Sequence, residues 1–240
     1  MIAGGCAVAL LAGLAAVDGL GPLGWLAGLA AAATTNVLLS RGLDRRGVSR
    51  VHPPNGITLT RAMLVAGVAA LVADGATRTA HTVAVVALAT LALVLDAVDG
   101  LVARRTESGV TELGARFDME VDAFLILVLS GFVAPIAGLW VLAIGGARYA
   151  YWAAGWVLPW LRSPLPSRYW RKVVAAIQGI VLTVAASQLV PTLVIDVALG
   201  VAFGLLAESF GRDVWWQWKG RRAVVRRKRD TATLALAGTR

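Results

Sequence analysis

Asp96, Asp99, Asp118 and Asp122 stand within the stretch DAVDGLVARRTESGVTELGARFDMEVD, residues 96–122, between long apolar runs. The first two are three residues apart and the last two four apart, so on helices each pair shares one face. Two such pairs on neighbouring helices converge into one acidic pocket. Carboxylates that close repel one another, more strongly in a low dielectric, and left alone they take up protons. A divalent cation resolves the conflict. An all-oxygen donor set favours Mg²⁺, Mn²⁺ or Ca²⁺ over zinc, and Mg²⁺ keeps positions for waters and phosphate oxygens, which suits phosphate chemistry. Pairing with Arg104, Arg105 or Arg116 in a headgroup region would account for any one of the aspartates. Four at helical spacing beside apolar spans point to a functional site instead. Gly100, Ala103 and Gly114 lie among them. Small residues let a ligand approach the backbone; their other common use in membranes is close helix packing.

The elements that must position these carboxylates are set by composition. The chain has 240 residues, 58% of them hydrophobic, against about 45–50% in soluble domains. Leu-, Ala- and Val-rich runs near the roughly 20 residues that cross a bilayer recur along it, without sustained alternation, so an all-α integral membrane protein is expected. Eight apolar segments are predicted: about 3–17, 23–40, 57–73, 81–104, 117–133, 137–158, 172–189 and 192–210. The start, MIAGGCAVALLAGLAAVDG, has no basic n-region and reads as a retained helix. Cys6 is the only cysteine, so an intramolecular disulfide or a cysteine-rich metal site is excluded. With only His52 and His81, a zinc site of the usual kind or a Ser-His-Asp triad is not expected.

The charge balance, 23 Lys+Arg against 14 Asp+Glu, fits basic loops kept on the cytoplasmic side better than it fits nucleic acid. Loops 41–61, 104–116 and 162–172 and the tail from Arg212 hold nearly all the Lys and Arg, while the alternate loops hold only Arg78. Eight spans with both termini cytoplasmic follow, with residues 96–122 at the cytoplasmic face. The seams are compositional: a helix pair at 1–40, a basic juxtamembrane segment at 41–55 with a helix-ending Pro-Pro pair, a six-helix unit at 56–212, and a basic tail at 213–240 that is expected to be mobile. Trp215, Trp216 and Trp218 read as an interfacial anchor. The run Glu208–Asp213 reads only as a polar helix end.

Asp96-x-x-Asp99-Gly100-x-x-Ala103-Arg104, then Gly114-x-x-x-Asp118-x-x-x-Asp122, resembles the signature of the CDP-alcohol phosphotransferases. The spacer from Arg104 to Gly114 is one residue longer than that family's usual one and falls in the turn between two helices. Weaker similarity extends over much of 55–178. PNGITLTR resembles the family's segment before its first core helix, through Asn55, Thr58 and Arg61. Arg148 resembles an arginine on the fourth core helix. SRYWRKVVAAIQ partly resembles a later motif through Lys172 and Gln178, but Arg171, Val174 and Ala175 depart from it.

The resemblance implies a six-helix transmembrane core with its active site on the cytoplasmic side, residues 1–40 adding two N-terminal transmembrane helices. It implies transfer of a substituted phosphate, typically phosphatidyl, from a CDP-linked lipid such as CDP-diacylglycerol to a hydroxyl acceptor, with release of CMP, in phospholipid synthesis. It implies Mg²⁺ or Mn²⁺, as two ions, a homodimer, and the bacterial cytoplasmic membrane as location. By the same resemblance Asp96, Asp99, Asp118 and Asp122 make up the metal site, the first three as ligands to the ions that hold the diphosphate, and Asp122 is also the general base. Asn55, Thr58, Gly100, Ala103, Arg104 and Gly114 would line the nucleotide site. Arg61, Arg148, Arg171 and Lys172 are candidates for binding the acceptor or a phosphate, as guanidinium geometry suits. For Arg148 a salt bridge to one of the four aspartates is the plainer alternative. A proton or divalent-cation transporter could use the same carboxylates as a relay, but it has no need of Gly100, Ala103 and Arg104 beside them.

Overall fold

In lipid a backbone has only itself to hydrogen-bond, so the apolar runs fold as helices. The computed structural model describes residues 2–44, 54–75, 79–105, 112–163, 165 and 168–237, and at 2–4, 18, 38–44, 54–56, 79–80, 102–105, 112–116 and 222–237 the backbone alone. Among the described residues there are eight α-helices and no strand: α1 (Ile2–Asp18), α2 (Pro22–Asp44), α3 (Pro54–Ala73), α4 (Thr79–Arg105), α5 (Glu112–Ala137), α6 (Leu142–Val157), α7 (Tyr169–Ser187) and α8 (Thr192–Ala237). Single 3₁₀ turns at Leu139–Val141 and Pro159–Arg162 flank α6. Pro22 and Pro54 open α2 and α3, where a missing N–H leaves no bond unmade. Gly138, at φ 105°, turns the chain from α5 towards α6 through backbone space that side chains disfavour.

Among the described residues, four helices are long and apolar enough to cross a membrane: His81–Leu101, Phe117–Ala137, Tyr169–Ser187 and Thr192–Arg221; Gly5–Val17 and Ile57–Ala73 are shorter apolar helices. Large apolar side chains lie exposed on the outside, among them Val83, Leu91, Trp152, Trp156, Leu193 and Val197. An apolar exterior of this kind marks a surface for membrane or protein contact.

The core is built around α3, which packs on α1, α2, α4 and α5. Its Val65, Val68, Ala70 and Leu71 are fully covered. Close approach needs small residues, and the helix pairs supply them. A Cβ on Gly145 of α6 would stand 2.5 Å from the Leu127 Cα of α5, and one on Gly24 of α2 would stand 2.9 Å from the Ala70 carbonyl of α3. The Gly21 N–H also donates to Asp74 Oδ1 at 2.9 Å, tying the α1–α2 turn to the end of α3. The first two helices are thus docked onto the helix at the centre.

The basic tail corrects an expectation. The last helix does not end near residue 210: α8 continues unbroken to Ala237. Arg, Lys, Ala and Leu dominate beyond Gly220, all strong helix formers, and no proline interrupts them. The fall in hydropathy marks where apolar character ends, not where the helix ends. Trp215, Trp216 and Trp218 are exposed along this helix.

Candidate active site

α4 carries Asp96 and Asp99 in its last turns, and α5 carries Asp118 and Asp122 in its first. The α4–α5 pair therefore delivers both carboxylate pairs to one end of the bundle. One oxygen each from Asp96, Asp118 and Asp122 lies within 4.8 Å of the others. Asp99, one turn on from Asp96, is outside that trio and partly exposed.

Arg61 of α3 joins the trio. Its Nη1 lies 2.8 Å from Asp96 Oδ1 and also donates to Asp118 Oδ1, while Nη2 donates to Asp122 Oδ1. The arginine is 1% exposed, whereas the three carboxylates are 36%, 32% and 29% exposed. The cation is covered and the anions are not, so Arg61 backs the cluster from the protein side. A lone charge on an apolar helix demands such partners. Three carboxylates facing one guanidinium leave two negative charges when all are ionised. An all-oxygen trio with that surplus fits a hard divalent cation in size, donor type and charge.

The remaining candidates sort by place. Thr58 is buried one turn before Arg61 on α3. A Cβ at Gly100 would meet no described residue within 4 Å. The side chains of Asn55, Ala103, Arg104 and Gly114 lie outside the described residues. Arg148 of α6 pairs with Glu120 of α5, and not with any of the four aspartates. Glu120 falls between Asp118 and Asp122 in sequence but two residues from each, so it points away from their face. Arg171 lies 3.6 Å from the buried Asp213, and Lys172 is exposed. Gln178 is buried and donates to the Ala202 carbonyl at 2.7 Å, a packing contact between α7 and α8.

The run Glu208–Asp213, read from sequence as a mere polar end, is a junction. Glu208 accepts from Trp170 Nε1 at 3.1 Å and pairs with Arg212; Asp213 faces Arg171; Phe210 meets the Tyr151 ring edge-on at 5.4 Å. Gln217, one turn on from Asp213, accepts from Tyr151 Oη and donates to the Leu161 and Ser163 carbonyls. The i,i+4 recurrence of Asp213 and Gln217 in a helix of otherwise mixed character was the available signal.

Residues 51–206 match the CDP-alcohol phosphatidyltransferase family. The chain belongs to that family. The match spans α3 to α7 and part of α8, and it contains the four aspartates and Arg61; α1 and α2 lie before it. A Drosophila melanogaster protein described as a probable cardiolipin synthase (CMP-forming) is 28% identical over 165 residues, which are 68% of this chain and 48% of that relative. The chain thus spans about half the length of the curated relative it matches. No solved structure matches this family member.

Proposed function

We propose that this chain transfers a phosphatidyl group from CDP-diacylglycerol to a hydroxyl acceptor and releases CMP. The observation that carries the reading is the convergence of Asp96, Asp118 and Asp122, from two helices of the family signature, on one part-exposed cluster. Family membership and the relative described as CMP-forming support the reaction class. That relative's description also nominates cardiolipin synthesis as the reaction.

Asp96, Asp118 and Asp122, with Asp99 one turn away, would hold the divalent ions, Mg²⁺ or Mn²⁺. When bound, such ions neutralise the diphosphate and steady the leaving group. Asp122 would accept the proton of the attacking hydroxyl as general base. Gly100, beside open space, would let the nucleotide lie against α4. Asn55, Thr58, Ala103, Arg104 and Gly114 would complete the nucleotide site, with Arg148, Arg171 and Lys172 as acceptor-side cations. An apolar, lipid-facing body with its carboxylates at one end suits a donor that stays in the bilayer. The proposed arrangement has this end cytoplasmic, both termini on the same side, and two copies in the working unit.

The test is CMP release by the purified protein in lipid, with CDP-diacylglycerol, Mg²⁺ and a panel of phosphatidylglycerol, glycerol phosphate, inositol phosphate and serine. CMP formed with one acceptor, and lost on chelation, is the expected result. No CMP with any acceptor, in protein shown to bind the donor, would refute the transfer reaction.

A further inference from the structure

We propose that Arg61 is an internal counter-cation that competes with the divalent ion for the aspartate cluster and so sets the ion's affinity. The inference rests on the metal-site reading above and adds a control that the reading does not contain.

The geometry is specific. Each of the three aspartates commits its Oδ1 to one guanidinium. These are side chains from the same trio whose oxygens gather within 4.8 Å. A divalent ion brought into that trio faces a fixed positive charge only a few ångströms away, in surroundings where Arg61 has no access to water. Like charges at that separation repel strongly when one of them is buried. The ion and the guanidinium also draw on the same carboxylates, so each weakens the other's hold.

The arginine's own anchoring points the same way. Its Nε is buried and has no hydrogen-bond partner among the described residues. The hydrogen bonds that secure the guanidinium come from the terminal nitrogens and end on aspartates. The cluster thus has a resident cation that is held by the ligands themselves. Without an ion, Arg61 keeps three carboxylates together that would otherwise repel one another. With an ion, that duty passes to the ion, and the cost of displacing or crowding Arg61 is subtracted from its binding.

The opposite role is also physically possible: Arg61 could preorganise the ligands and strengthen binding. The two roles differ in sign. Mn²⁺ binding is measured by electron paramagnetic resonance on full-length protein in detergent, without nucleotide, for the native chain, Arg61→Gln and Asp118→Asn. Competition predicts that Arg61→Gln binds Mn²⁺ at least about tenfold more tightly than the native chain. Equal or weaker binding overturns the proposal. Native binding that Asp118→Asn abolishes, with no tightening in Arg61→Gln, defeats this inference alone. Absence of Mn²⁺ binding in every form, or native binding indifferent to Asp118→Asn, defeats the metal-site reading and this inference with it. Should Arg61→Gln fail to fold, Arg61→Lys decides. A lysine keeps the charge but cannot bridge three carboxylates, so binding about threefold tighter is expected, and equal or weaker binding overturns the proposal.

Discussion

Arg61 and Asp122 form an ion pair between α3 and α5 in which the cation is fully covered and the anion is 29% exposed. That asymmetry orders the whole site. α3 is the helix around which the bundle packs, so its one buried guanidinium is fixed by the core, and the aspartates of α4 and α5 gather on it. The fold positions the cation, and the cation positions the carboxylates.

Stability should reveal this dependence. Arg61→Ala leaves Asp96, Asp118 and Asp122 facing one another with no counter-charge. Breaking a buried ion pair costs about 3–5 kcal/mol. Because the carboxylates are part-exposed and water can screen them, about 2–3 kcal/mol is expected here. Thermal unfolding in detergent should show the loss without metal. Added Mn²⁺ should narrow the gap, since a ligand that binds the folded state stabilises it. A gap that Mn²⁺ does not alter would mean that the carboxylates are not the source of the loss.

Asp122→Asn removes the proposed base and keeps the volume. General-base contributions are typically about 10²–10⁴-fold, so kcat for CMP release should fall by at least about a hundredfold. Binding of CDP-diacylglycerol should change by less than about fivefold, because the amide still accepts a hydrogen bond from Arg61. Retained turnover would remove Asp122 from the base role.

Much of this was legible in the sequence, and the remainder has physical reasons. The eight helices are visible because lipid allows the backbone few alternatives, and each apolar run declares one. How many of them span is less visible: among the described residues four are both long and apolar enough, and Gly5–Val17 of α1 and Ile57–Ala73 of α3 are apolar but shorter. The aspartates are visible because helical spacing is local. The sequence marks Arg61 as an acceptor- or phosphate-binding candidate, whereas its neighbours Asp96, Asp118 and Asp122 come from two other helices, and no spacing within α3 could name them. Glu120 was hidden between Asp118 and Asp122, on the wrong face to be counted with them. The length of α8 was hidden because hydropathy reports burial in lipid, while helix formation by Arg, Lys and Ala continues without it.

The Arg148–Glu120 pair separates structure from function. Both side chains are substantially exposed, at 39% and 48%, and exposed ion pairs contribute about 0–1 kcal/mol. Glu120→Gln should therefore leave the melting temperature nearly unchanged. If Arg148 serves an anionic acceptor, Arg148→Ala should raise the acceptor KM by about tenfold or more while the donor KM stays within twofold. Equal effects on both substrates would place Arg148 outside the acceptor site.

Gly100 and Gly145 should respond oppositely to the same change. A Cβ at Gly145 would press on the Leu127 backbone at 2.5 Å and on Ser130. Gly145→Ala is expected to cost about 1–3 kcal/mol by overpacking the α5–α6 contact. At Gly100 a Cβ meets nothing within 4 Å, and alanine in a helix is favoured over glycine by about 1 kcal/mol. Gly100→Ala should therefore fold at least as stably as the native chain. If the open space is where the nucleotide lies, Gly100→Leu should keep the fold and raise the KM for CDP-diacylglycerol by at least about tenfold, because a side chain now fills the approach to α4. Melting curves and donor titrations on the three variants check this together. An unchanged donor KM in Gly100→Leu would show that the space beside Asp96 and Asp99 is not the nucleotide's.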